Sequence, residues 1–136
     1  TPSPTPPPIP DIAGNYNGTL DNTTANITTG MTLSVKQKQN QGSISGYFTV
    51  NPPLVGNGNY SGSVANTKYV QFTVQSYKGN APLYFWGWVQ PDGSLNGDYC
   101  SINAHNKCDP NAGAAGIWDV AKVASPQYAN SYVGAR

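Results

Sequence analysis

The sequence predicts an all-β domain, a single antiparallel up-and-down β-barrel of about eight strands. Three observations predict it. The composition is rich in Gly (15) and Asn (15), with abundant Thr, Ser, Val and Tyr and few helix formers, which favours strands joined by tight turns. From residue 13 onward, apolar and polar residues alternate in eight short segments, and no window carries a 3.6-residue period. Clusters of Gly, Pro, Asn and Asp separate the segments, so the connections are short. Eight consecutive strands can close on themselves and remove the exposed edges. A chain of 136 residues supports one core, not two.

The first ten residues contain six prolines. Proline cannot donate to a sheet ladder, and this density gives a stiff polyproline II spacer. Residues 1–12 are read as a Pro-rich linker, 13–124 as the barrel and 125–136 as a C-terminal tail. The linker is expected to continue from an upstream part of a longer chain, or else to begin a mature secreted protein.

Strands are expected near 13–20, 30–38, 43–51, 57–65, 67–77, 81–90, 94–100 and 115–123. Turn chemistry marks Gln39–Gly42, Asn66 and Pro91–Ser94. The alternation assigns an inward face to Tyr16, Gly18 and Leu20, to Met31, Leu33 and Val35, and to Ile44, Gly46, Phe48 and Val50. Tyr60, Gly62 and Val64 follow, then Val70, Phe72 and Val74, and Leu95, Gly97 and Tyr99. Five segments place an aromatic and a glycine two apart: Tyr16/Gly18, Gly46/Phe48, Tyr60/Gly62, Phe85/Gly87 and Gly97/Tyr99. Glycine within a strand permits sharp coiling and lets a ring lie over the backbone. With Trp118, seven inward rings should nearly fill the barrel, leaving at most a small cavity.

Leu83–Val89 is apolar on both faces. With Phe85 and Gly87 inward, Tyr84, Trp86 and Trp88 form an outward stripe that needs a cover or a partner. The tail, through Tyr128 and Tyr132, is one cover; a ligand or a second copy of the chain is the other. A one-residue slip would turn the three rings inward. As a ligand surface the stripe would supply stacking, with Asn96 or Asp98 binding polar groups.

Cys100 and Cys108 lie close together in a turn-rich stretch. Pairing them as a disulfide and placing the domain in an oxidising, extracytoplasmic compartment fit the low charge and the abundance of Asn and Thr; two neighbouring free thiols are the alternative. Asn-x-Ser/Thr sequons begin at Asn17, Asn22, Asn26 and Asn59. Seven Lys and Arg balance six Asp, for a formal net charge of +1. That near-balance argues against nucleic acid and anionic membrane as partners.

Little catalytic chemistry is on offer. Asp98 and Asp119 fall in the last two strands, where they are either a carboxylate pair or two solvated residues, the latter preferred. His105 is the single histidine, in a polar loop. Nucleophile, phosphate-binding and dinucleotide motifs are absent, and Asp109–Asn111 falls short of a calcium loop. The expectation is a non-enzyme without cofactor or metal.

Gly14-Asn-Tyr16 stands where a lipocalin carries its opening Gly-x-Trp, and Met31–Val35 followed by Gly42–Tyr47 resembles the first hairpin of avidins, so the barrel is similar to the calycin type. A broader resemblance runs through Gly14–Gly18, Gly42–Gly46, Gly58–Gly62, Val70–Val74, Gly93–Cys100 and Gly116–Trp118. These segments resemble an extracytoplasmic C-terminal domain of bacterial membrane-anchored Ser/Thr protein kinases. The resemblance implies a ligand-sensing ectodomain after a membrane helix and a Pro-rich linker, with the kinase on an absent part of the chain. Its partner would be an unidentified small molecule, glycan or protein. The other readings are a secreted carbohydrate-binding module using Tyr84, Trp86 and Trp88, and a structural or adhesive spacer.

Overall fold

The structure, a computed structural model, describes residues 8–75 and 80–123. Eight strands follow one another: β1 (Gly14–Asn22), β2 (Ile27–Gln37), β3 (Ser43–Val50), β4 (Gly58–Val64), β5 (Tyr69–Val74), β6 (Leu83–Val89), β7 (Leu95–Ser101) and β8 (Ala115–Lys122). Each pairs antiparallel with its neighbour, and β8 pairs with β1, closing an up-and-down barrel. The stretch 21–29, expected to be a loop, is mostly sheet. β-branched Ile27, Thr28 and Thr29 extend β2, Asp21 and Asn22 of β1 pair with Thr28 and Ile27, and the turn shrinks to residues 23–26. Asn26 adopts a left-handed φ of 58° there, which Asn tolerates, and the Asn22 side chain accepts the Ala25 N–H at 2.9 Å.

The inward face is the one the alternation assigns. Tyr16, Phe48, Tyr60, Phe72, Phe85, Tyr99 and Trp118 are all at most 3% exposed. Each buried ring removes roughly 150–250 Å² from water, a gross gain of about 4–6 kcal/mol. Phe72, Phe85 and Tyr99 are cross-strand neighbours and stack as a ladder, with centroids 4.8 Å and 5.2 Å apart. Trp118 meets Phe72 and Phe85 edge-on.

Glycines make this interior possible. At Gly46 a Cβ would overlap the carbonyl oxygen of Ser34, on β2. That carbonyl accepts a hydrogen bond from the buried Tyr60 hydroxyl at 2.7 Å. At Gly97 a Cβ would overlap the Trp86 carbonyl, and Trp118 Nε1 donates to the Trp86 and Asp98 carbonyls at 3.3 Å and 3.0 Å. Both rows share one arrangement: a ring, a glycine beside it, and the carbonyl of the next strand leaning in where the Cβ is missing. In register these are Tyr60↔Gly46↔Val35 and Trp118↔Gly97↔Gly87.

The two ends of the barrel differ. At one end, short turns join β2 to β3, β4 to β5 and β6 to β7, and residues 9–12, counted by composition with the linker, fold over the opening. Ile12 is buried in the core, with Ile9 packed against it. The Ile12 N–H donates to Gln37 Oε1 at 2.8 Å, Gln37 Nε2 donates to the Pro10 carbonyl at 2.9 Å, and the Tyr16 hydroxyl donates to the Ile12 carbonyl at 2.8 Å. The other end carries the longer connections 51–57, 75–82 and 102–114.

Gly46→Ala should destabilise the domain by about 3 kcal/mol or more, because backbone and not a flexible side chain occupies the space. Ser45→Ala, on the outer face, should stay within about 0.5 kcal/mol. Urea unfolding measures both, and a neutral Gly46→Ala would overturn the close strand approach.

Buried phenols add a pH limit. Burial, then the Asp11 carboxylate, pushes Tyr16 up to about 12. Burial, then Asp21, does the same for Tyr99, and burial, then Tyr16, raises Tyr60. The folded state keeps protons that the unfolded chain releases near its ordinary value of 10.0. The stability linked to these groups is therefore whole below that pH and is lost as pH rises toward about 12. Tyrosinate absorbance of these three residues should appear together with loss of the near-ultraviolet circular dichroism; ionisation near the ordinary value with the fold intact would contradict it.

Candidate functional site

The outer stripe lies where the alternation places it. Phe85 is fully buried, whereas Trp88 is 50% exposed and Tyr84 and Trp86 are half-buried. The rings do not present three open faces, however. Tyr84 stacks on Trp86 with centroids 5.4 Å apart, and Tyr69 from β5 packs edge-on against Trp88 at 5.1 Å. The Tyr84 hydroxyl donates to Gln71 Oε1, and burial, then Tyr69, holds its pKa above the ordinary value. The stripe is thus a ridge of four rings covering one another in pairs. Tyr128 and Tyr132, the expected cover, lie outside the described residues.

Asn96 pairs with Trp88 and Asp98 with Trp86, so both polar candidates flank the ridge. Asn96 Oδ1 accepts from Gln90 Nε2 at 3.0 Å, and Asp98 is exposed. Asp119 pairs with Asn96, while Asp98 pairs with Ile117. The two carboxylates are therefore diagonal neighbours on the outer surface, both solvated, as preferred from sequence. His105 is exposed, its backbone N–H donating to Asn103 Oδ1.

Cys100 and Cys108 form a disulfide, with Cα atoms 5.5 Å apart. Cys100 points outward beside Tyr84, and the bridge, with the Ile102–Cys108 pairing, folds residues 102–108 onto the wall. Closing so short a loop stabilises by about 2–3 kcal/mol in the chain-entropy model.

A second feature was missed by the sequence reading. At the end carrying the long connections, a cavity of about 170 Å³ opens between the barrel wall and the loops. Its apolar wall is Leu20, Phe48, Val50, Leu54 and Leu83, and Ala112–Ala114 of the β7–β8 connection form a lip. Gln75 and Asn80 stand at the rim, where they are exposed. Among the described residues no Asp, Glu, Lys, Arg or His lines it.

Three polar side chains on this wall are more than nine-tenths buried: Asn22, Tyr99 and Ser101, exposed by 8%, 3% and 5%. Asn22 and Ser101 are the last inward residues of β1 and β7. The Asn22 Oδ1 and Ser101 Oγ atoms accept the N–H groups of Ala25 and Ala114. A backbone N–H only donates, so the Asn22 NH₂ and the Ser101 O–H are left as donors. Tyr99 lies in a third ring–glycine row, Tyr99↔Gly116↔Asn22, where the Asp21 carbonyl fills the place of a Cβ at Gly116. Unlike Tyr60 and Trp118, Tyr99 makes no side-chain hydrogen bond to a described residue. A buried hydroxyl left so costs about 1–3 kcal/mol.

The signal for these residues was in the alternation. Asn22 is in phase with Tyr16, Gly18 and Leu20, and Ser101 with Leu95, Gly97 and Tyr99, but the expected strands stopped at 20 and 100.

Compared with known proteins, the chain matches no family model, no curated protein and no solved structure.

Trp86→Ala should cost about 1–2 kcal/mol, the loss of one exposed-face stack, whereas Phe85→Ala should cost about 3–5 kcal/mol. Chemical denaturation measures both, and equal losses would contradict the inside–outside assignment of β6.

Proposed function

We propose that this chain is a non-catalytic, extracytoplasmic ligand-binding domain, the sensing ectodomain of a receptor-like Ser/Thr kinase, and that its ligand enters at the loop-bearing end of the barrel. The mouth cavity carries the reading. Its wall is mostly apolar, is built from strand and loop residues, and encloses a space close in size to cavities that hold one benzene-sized molecule. Tyr99 is the one ionisable side chain on its described wall, and burial keeps that phenol protonated at neutral pH, which suits binding without proton transfer. The ectodomain assignment is supported by the kinase resemblance, the Pro-rich lead-in and the disulfide.

Glycan binding by the ridge is a second reading, favoured by the exposure of Trp88 beside Asn96 and Asp98. Self-association through the same face is an outcome of its test.

Benzene titrated into the protein should shift the NMR signals of Leu20, Leu54 and Leu83, with a Kd of order 1 mM. Ala81 also lines the cavity, and Ala81→Trp, which fills it, should abolish the shifts and keep the fold. Oligosaccharides that shift the Trp86 and Trp88 indole signals would move the function to the ridge. Absence of both responses would leave a structural spacer and overturn the binding reading.

A further inference from the structure

Three of the ring–glycine rows carry a ring with a hydrogen-bond donor, and two of these are complete. Tyr60 and Trp118 each lie over a glycine and donate to a carbonyl that leans in from the adjoining strand. In the third row, Tyr99 lies over Gly116, within 2.9 Å of the position of an added Cβ, yet its hydroxyl donates to no described residue. Tyr99 is part of the wall of the mouth cavity. Asn22, next in the same row, and Ser101, two residues along β7, have their acceptor atoms taken by backbone N–H groups. Each keeps a donor. The buried polar chemistry of the cavity therefore offers three donors, from Tyr99, Asn22 and Ser101, and no charge among the described lining side chains.

We infer that the cavity takes one compact, uncharged, ring-sized molecule carrying a hydrogen-bond acceptor, which the Tyr99 hydroxyl binds, with Asn22 and Ser101 as further donors. The inference rests on the binding reading above and specifies its ligand class. The apolar wall of Leu20, Phe48 and Val50 covers the ring, and the ladder Phe72–Phe85–Tyr99 fixes the phenol. A ligand carbonyl or ether oxygen completes the third row as the Ser34 and Trp86 carbonyls complete the other two. Donors without an acceptor would remain unsatisfied against a hydrocarbon ligand, which is how such a site discriminates. An anion of the same size finds no cation on the described wall and must shed its hydration to enter.

Acetophenone and α-methylstyrene share one shape and differ by a carbonyl oxygen in place of a CH₂ group. Both are titrated by NMR into the whole chain and into Tyr99→Phe, which keeps the stacked ring. Acetophenone should lose about 3- to 10-fold in affinity on Tyr99→Phe, while α-methylstyrene stays within about twofold, so that hydration of the free probes cancels. Benzoate, the anionic control, should not bind. Should Tyr99→Phe not fold, Ser101→Ala takes its place, with a loss of about 2- to 5-fold for acetophenone alone. Equal responses of the two probes, or benzoate binding as tightly as acetophenone, would overturn the ligand class even where benzene binds. Failure of benzene itself would remove the binding reading beneath it.

Discussion

Close approach of neighbouring strands at glycine is the constraint on which the rest of this barrel depends. At Gly18, Gly46, Gly62, Gly87, Gly97 and Gly116 a neighbouring carbonyl oxygen occupies the space of a Cβ. Strands that coil so tightly give a narrow barrel, and a narrow barrel has room for few side chains. Those present are large rings laid flat across the glycines. Each inward carbonyl oxygen has a second lone pair that can accept a donor besides its strand partner. Tyr60 and Trp118 supply it at two positions. Ring, glycine and carbonyl are one device; changing any member leaves either a clash or an orphaned polar atom.

The same device explains where the barrel is filled and where it is not. Tyr16, tied to the Ile12 carbonyl, and Ile12 itself seal the end with short turns. The stacked ladder Phe72, Phe85 and Tyr99 fills the middle. Beyond Tyr99, toward the loop-bearing end, β1 and β7 finish on Asn22 and Ser101, too small and too polar to continue the ring packing. Cavity and polar wall thus have a single cause: the aromatic sequence runs out before the strands do. Ala112–Ala114, at the end of the connection that the disulfide pins at Cys108, then form the lip.

On the outer surface, aromatic residues solve a different problem. β6 is apolar on both faces, so its outward rings must hide from water without entering the core. Tyr84 stacks on Trp86, and Trp88 takes an edge from Tyr69, an arrangement worth about 0.5–1.5 kcal/mol per pair beyond burial. Much of the stripe's demand for a cover is met by the sheet itself. Trp88 and, two strands away on β8, Ile117 remain about half exposed.

Alternation with period two determined the strand count, the antiparallel order, the seven inward rings and the outward direction of Tyr84, Trp86 and Trp88, because a strand offers only two faces and one of them must be dry. Chain proximity determined the Cys100–Cys108 pairing well enough to name it. What only the tertiary structure decided depends on residues far apart in sequence. Register brings Tyr99, Gly116 and Asn22 into one row across β7, β8 and β1, and no local pattern encodes that neighbourhood. Pairing of the ridge rings across β5 and β6 is likewise a matter of register. The mouth cavity was hidden because its polar wall residues read locally as turn formers: Asn22 before a Thr-rich turn, Ser101 beside a cysteine. Only closure of the barrel, which turns the ends of β1 and β7 toward one another, converts two strand termini and a tyrosine into the wall of a site.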